Sequence, residues 1–69
     1  MDTHSIFIRI NRRDIAYFKF IVESHEGIAV VRTKDPREAI LELMVAPGCE
    51  REVEEVIEVL RKEISIEKL

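Results

Sequence analysis

Cys49 is the residue best suited to nucleophilic chemistry in this 69-residue sequence, because it is the only cysteine. It lies near the start of a predicted helix, where the helix dipole favours a thiolate. The neighbouring carboxylates of Glu50 and Glu52 oppose that negative charge, and no motif supplies the positioned base that a nucleophile needs. We therefore predict an inert thiol and a protein that is not an enzyme.

The two histidines, His4 and His25, are the other potential ligands for a metal ion. Together with Cys49 they provide three donors, whose spacing matches no common zinc motif. His25 is expected in the last turn of the first helix, where a cation suits the dipole. We predict neither a metal site nor a cofactor.

Arg12 and Arg13 are the best candidates for binding an anion. They adjoin the predicted start of the first helix, where free backbone N–H groups and two guanidinium groups can hold a carboxylate or a phosphate. The alternative is a solvated pair at a helix end, which is common for arginines on a protein surface.

The composition predicts one small globular domain. The hydrophobic fraction is 46% and the net charge is −3, which favours a folded chain and disfavours nucleic acid as a partner. The charge is uneven, since the second half of the chain is much more acidic than the first. No apolar run approaches the length of a membrane span, and the first residues do not resemble a signal peptide, so a cytoplasmic location is expected.

The first half of the chain has the pattern of a strand followed by a helix. Residues 5–10 alternate between apolar and other side chains at a period of two. Asn11 can cap a helix that extends to about Glu26, and Gly27 fits the left-handed position that follows a helix. Three further apolar side chains on this helix lie outside its main stripe: Tyr17, Phe20 and Ile21.

The second half predicts a hairpin and another helix. The strands cover residues 28–34 and 38–46, and Asp35 and Pro36 form the turn between them. A helix follows over residues 50–64, with its acidic residues on a solvated face. Residues 65–69 either pair as a fourth strand or remain free.

This order of elements predicts an α+β fold of the ferredoxin-like βαββα(β) type, with both helices on one face of an antiparallel sheet. The other face is then open. If the apolar residues that alternate along each strand point toward the helices, the open face carries five intervening side chains: Phe7, Arg9, Ile40, Glu42 and Met44. We predict that Arg9 and Glu42 pair across neighbouring strands, within an apolar contact surface.

Four segments resemble a small bacterial family catalogued as a domain of unknown function. They are residues 14–21 (DIAYFKFI), 26–31 (EGIAVV), 33–36 (TKDP) and the Pro-Gly pair at 47–48. The order of elements is also similar to ACT-type domains, and this resemblance implies an effector site near the first strand-to-helix loop. The loop at Arg12 and Arg13 lacks the glycine of such sites, and the resemblance brings no established activity.

Two functions follow as hypotheses. The first is an interaction module that forms a homodimer through the open sheet face or a sheet edge. The second is an ACT-like sensor of a small amino acid or anion, which binds at Arg12 and Arg13.

Overall fold

The computed structural model describes residues 4–69 and has an α+β architecture. In chain order, the elements are β1 (His4–Ile10), a short 3-10 turn (Arg12–Asp14), α1 (Ile15–Ser24), β2 (Ala29–Asp35), β3 (Ile40–Val45), α2 (Glu50–Leu60) and β4 (Ile66–Lys68). No helix in this part of the chain is long and apolar enough to cross a membrane.

The strands form one antiparallel sheet in the order β2-β3-β1-β4. β1 therefore lies beside β3, with Ile6 opposite Leu43 and Ile8 opposite Leu41. The segment after α2 pairs with β1, since Ile66 lies opposite Ile10. The alternative of a free C-terminal segment is thereby settled in favour of a fourth strand.

The core lies between the sheet and the two helices, as the alternating pattern predicts. Every second residue of β1 and β3 is buried together with the apolar stripes of α1 and α2. The buried set includes Ile6, Ile8, Ile10, Leu41, Leu43, Val45, Phe18, Val22, Val53, Ile57 and Leu60. Both helices thus cover the same side of the sheet.

The start of α1 differs from the prediction. Asn11 makes no side-chain hydrogen bond as a cap; instead its backbone carbonyl accepts the N–H of Asp14 at 2.9 Å. The intervening 3-10 turn moves the start of the α-helix to Ile15, four positions beyond Asn11, where the Asn11 side chain no longer adjoins its first free N–H groups.

The end of α2 also differs, because the helix stops at Leu60 rather than at residue 64. The carbonyl of Leu60 accepts both the N–H of Glu63 and the N–H of Ile64, each at 2.9 Å. This tight turn redirects the chain into β4 while Ile64 still packs against the core.

Asp35 shapes the turn between β2 and β3 as predicted. Its Oδ1 accepts the backbone N–H groups of Arg37 at 3.0 Å and Glu38 at 3.2 Å. The strand that follows begins later than predicted, at Ile40, because Ala39 has a left-handed φ of 55° that interrupts extended backbone.

Gly27 lies between α1 and β2 with φ at 77°. A Cβ at this position would meet nothing within 4 Å, so the backbone conformation alone requires glycine. We expect Gly27→Ala to lower the free energy of unfolding by about 1 kcal/mol, measured by urea denaturation. An unchanged midpoint would show that the loop changes conformation at little cost.

A side chain from α1 occupies one backbone N–H on the outer edge of β2. The backbone N–H of Val31 donates to Oε2 of Glu23 at 3.3 Å. A charged side chain at an edge is one of the devices by which proteins discourage the addition of another strand.

Candidate functional site

The side of the sheet away from the helices is one candidate surface, which we call the open face. Five apolar side chains belong to it, four on β1, β2 and β3 and one directly after β4: Phe7, Val30, Ile40, Met44 and Leu69. The three apolar residues that the sequence predicts for this surface, Phe7, Ile40 and Met44, are half-buried.

Val30 and Leu69 were missed by the sequence analysis and are the most exposed, at 55% and 58%. Val30 lies opposite Met44 in the sheet register. The N–H of Leu69 donates to the carbonyl of Phe7 at 2.9 Å, which extends the pairing of β4 with β1. The alternation of Val30 with the buried Val31 could have placed Val30 on the open face. Leu69 could not be placed, because the sequence left open whether residues 65–69 pair as a fourth strand.

A buried carboxylate, Glu42, lies at the centre of the open face. Only 8% of this residue is exposed. Its Oε1 accepts a hydrogen bond from Nη2 of Arg32 and its Oε2 one from the hydroxyl of Ser5, both at 2.9 Å. The bond from Arg32, and then the bond from Ser5, lower the pKa of Glu42 against the opposing effect of burial.

The predicted pairing of Arg9 with Glu42 is wrong. In the register, Arg32 lies directly opposite Glu42, whereas Arg9 lies opposite Glu67 of β4. Arg9 accordingly contacts Glu67 at 3.2 Å and Glu38 at 3.7 Å. Side chains directly opposite each other on neighbouring strands lie closer together than diagonal ones, so they form ion pairs more readily.

The lowered pKa of Glu42 predicts how the free energy of unfolding changes at acidic pH. Because this pKa is lower in the folded chain than its ordinary value of 4.5, the stabilisation is complete above that value and is lost as the pH falls through the folded pKa. We expect the stability of the wild type to fall more steeply than that of Glu42→Gln as the pH drops below 4.5, as measured by urea denaturation. Parallel pH profiles would contradict this assignment.

The second candidate surface lies on the opposite layer, between the two helices. We call it the α1–α2 groove. It has a volume of about 490 Å³, and its lining consists of Tyr17, Ile21, His25, Glu52, Glu55, Val56, Val59, Leu60 and Glu63. Tyr17 and Ile21 belong to the apolar surface that the sequence places outside the main stripe of α1.

Tyr17 and Glu63 join the helices at one end of the α1–α2 groove. The Tyr17 hydroxyl donates to Oε1 of Glu63 at 2.7 Å. This hydrogen bond, with smaller effects from burial and from the charge of Glu63, raises the pKa of Tyr17 above its ordinary value of 10.0.

This contact can be tested directly, since Tyr17 is the only tyrosine in the chain. We expect the ultraviolet titration of the phenol to show a pKa above 10.0, and Glu63→Gln to lower it toward that value. Circular dichroism at each pH verifies that the chain is still folded. Identical titrations of the two proteins would exclude the hydrogen bond in solution.

The sequence-predicted anion site at Arg12 and Arg13 lies on the 3-10 turn, away from both surfaces. Both side chains are exposed and, within residues 4–69, neither forms an ion pair. The α-helix itself begins only after Asp14. Anion binding here stays a prediction, which a thermal-shift series with carboxylates and phosphates would check against Arg12→Ala.

Cys49 is half-buried against the core at the start of α2, where its carbonyl accepts the N–H of Val53 at 3.0 Å. His25 lies at the end of α1, on the border of the α1–α2 groove. Among residues 4–69, no three side chains of His, Cys, Asp or Glu lie close enough together to hold a metal ion.

A comparison with known protein families identifies the family of this sequence. The chain belongs to the family described as Domain of unknown function (DUF4911), whose model matches residues 8–64. The match covers both helices, β2, β3 and the end of β1 from Ile8, and it excludes β4 together with Phe7 and Leu69 of the open face. A comparison with curated proteins gave no significant match, and neither did a comparison with solved structures.

Proposed function

We propose that this domain is a non-enzymatic interaction module of ferredoxin-like, ACT-like architecture that forms a homodimer through its open face. The observation that carries the proposal is the apolar character of a sheet face that neither helix covers. Its five apolar side chains surround charges that are already paired within the chain. A partner can displace water from such a surface at little cost in free energy, because the charges keep their partners within the chain.

The charges of the open face favour a second copy as the partner. Two arginines of this surface pair with carboxylates: Arg32 with Glu42, and Arg9 with Glu67 and Glu38. The face is therefore close to neutral, although the sequence as a whole has a net charge of −3. Two copies can approach through neutral surfaces without the like-charge repulsion that acts between acidic ones.

The dimensions of the open face predict a weak dimer. Strands lie about 4.8 Å apart with about 3.3 Å per residue, and three strands have six or seven residues while β4 has three, so the face covers roughly 360 Å² per protomer. The total for two copies, roughly 700 Å², is below the standard size of specific complexes and fits only a weak association. We expect a dissociation constant in the micromolar range.

The sheet edges are less suitable for pairing than the open face. On β2, the carboxylate of Glu23 occupies the outward N–H of Val31. On the other side of the sheet, β4 covers the part of β1 from Ile8 to Ile10. These contacts support association through the face rather than through an edge.

Sedimentation equilibrium over a concentration series tests the proposal. We expect the mass to rise from monomer to dimer between about 1 µM and about 1 mM. The dimer should persist in moderate salt, because its contacts are mainly apolar. A monomer at every concentration would overturn the proposal.

A further inference from the structure

We propose that the α1–α2 groove binds an amphipathic peptide helix with lysine or arginine residues on both sides of its apolar stripe. This binding site is separate from the open face and lies on the opposite layer of the domain. The argument rests on the apolar floor of the groove, on its elongated shape and on the sign of the charge along its border.

The floor of the α1–α2 groove is apolar. Ile21 contributes from α1, and Val56 and Leu60 contribute from α2. Val59 lines the same groove and is 57% exposed, which is a large value for a valine. Such a surface matches the apolar stripe of a helix.

The shape of the groove favours an elongated occupant. Tyr17, Ile21 and His25 lie four residues apart along α1, so they form a line of about 12 Å. On α2 the lining extends from Glu52 to Leu60, and Glu63 continues it in the turn after the helix. The hydrogen bond between Tyr17 and Glu63 places the first part of α1 beside the C-terminal end of α2. The groove therefore follows about two to three helical turns.

The charge along the border of the groove selects a basic partner. Glu52, Glu55 and Glu63 belong to the lining, which contains neither lysine nor arginine among the described residues. A second copy of this chain would bring an equally acidic groove border to the contact, which costs free energy through like-charge repulsion. Lysine or arginine beside an apolar stripe complements both the border and the floor.

The test uses two synthetic helical peptides of about 14 residues with leucine at i, i+3, i+4 and i+7. One carries lysine beside the leucines and the other carries glutamate at the same positions. Fluorescence anisotropy with the full chain is expected to show saturable binding of the lysine peptide, and binding of the glutamate peptide that is at least about tenfold weaker. Equal affinities would overturn the proposal.

Two variants of α2 locate the site. Glu55→Lys reverses a charge on the groove border, whereas Glu58→Lys makes the same change on an exposed residue outside the lining. We expect the first to weaken binding of the lysine peptide at least about tenfold and the second by less than about threefold. Equal losses would indicate attraction to net charge alone and would overturn the proposal.

Apolar contact is tested with Val59→Ser, whose exposed position leaves the core intact. We expect weaker peptide binding, with NMR shift changes in the wild type confined to residues of the groove. Shift changes on the open face would overturn the proposal. So would a homodimer that dissociates on Val59→Ser, because that result would place a second copy in the groove.

Discussion

Replacing Phe7 with glutamate is expected to keep the protein monomeric at concentrations where the proposed dimer of the wild type would form. Phe7 lies opposite Glu42 on β3, and the N–H of Leu69 donates to its carbonyl, so its ring is near the centre of the open face. In a face-to-face dimer the new carboxylate would lie beside a buried carboxylate and would also meet its symmetry mate. Sedimentation equilibrium measures the effect, which we expect to exceed about a hundredfold in the dissociation constant.

Two other variants separate this explanation from a loss of folding. Val30→Glu makes the same kind of change at a more exposed position of the open face and should also weaken the dimer. Val59→Glu adds an identical charge on the helical layer and should leave the dimer unchanged. A dimer that survives both Phe7→Glu and Val30→Glu does not use this face.

Removal of the Phe18 side chain is expected to have the largest effect on stability. Phe18 belongs to α1 and is fully buried in the core. Phe18→Ala should cost about 3–5 kcal/mol through lost burial and the cavity that remains. A domain of 69 residues has a total stability of only about 3–10 kcal/mol, so a large fraction of the variant should be unfolded at 25 °C. Urea denaturation followed by circular dichroism measures the change.

Phe20 provides a matched control, since it lies two residues further along the same helix and is 70% exposed. Phe20→Ala makes an identical chemical change and should alter the free energy of unfolding by less than about 0.5 kcal/mol. Similar losses from the two substitutions would be incompatible with the way α1 packs on the sheet.

The layers of this fold could be predicted from the sequence because they depend on local periodicity. Ile6 and Ile8 alternate with Phe7, and Leu41 and Leu43 alternate with Glu42, so a period of two assigns each side chain to a face. The apolar stripe of α2 does the same at a period near four. These patterns depend only on residues that are close in the sequence, so they are the same for any arrangement of the strands and helices.

Contacts between distant residues could not be predicted in the same way. The pairing of Glu42 with Arg32 rather than with Arg9 depends on the register of β2 against β3 and on the position of β4. A hydrogen bond such as that between Tyr17 and Glu63 joins residues 46 positions apart. Periodicity shows that α1 has surplus apolar surface, but the groove requires the relative placement of two helices.

Helix ends were less predictable than helices. Asn11 has the residue type of a cap, yet the 3-10 turn at Arg12–Asp14 delays the α-helix. At the other helix, Ile64 fits the apolar stripe and packs on the core although α2 has already ended at Leu60. The helix ends although the apolar pattern continues, because β4 can form its hydrogen bonds with β1 only if the chain turns after Leu60.

The carboxylate that Glu23 places on the outward N–H of Val31 also bears on the size to which an assembly can grow. Head-to-tail strand addition, in which one edge of the sheet pairs with the opposite edge of the next copy, is open-ended and produces a filament. Association of two identical faces closes on itself, because each copy uses its surface completely in meeting the other. By obstructing the first route and leaving the second available, this one side chain favours a finite particle over a fibre.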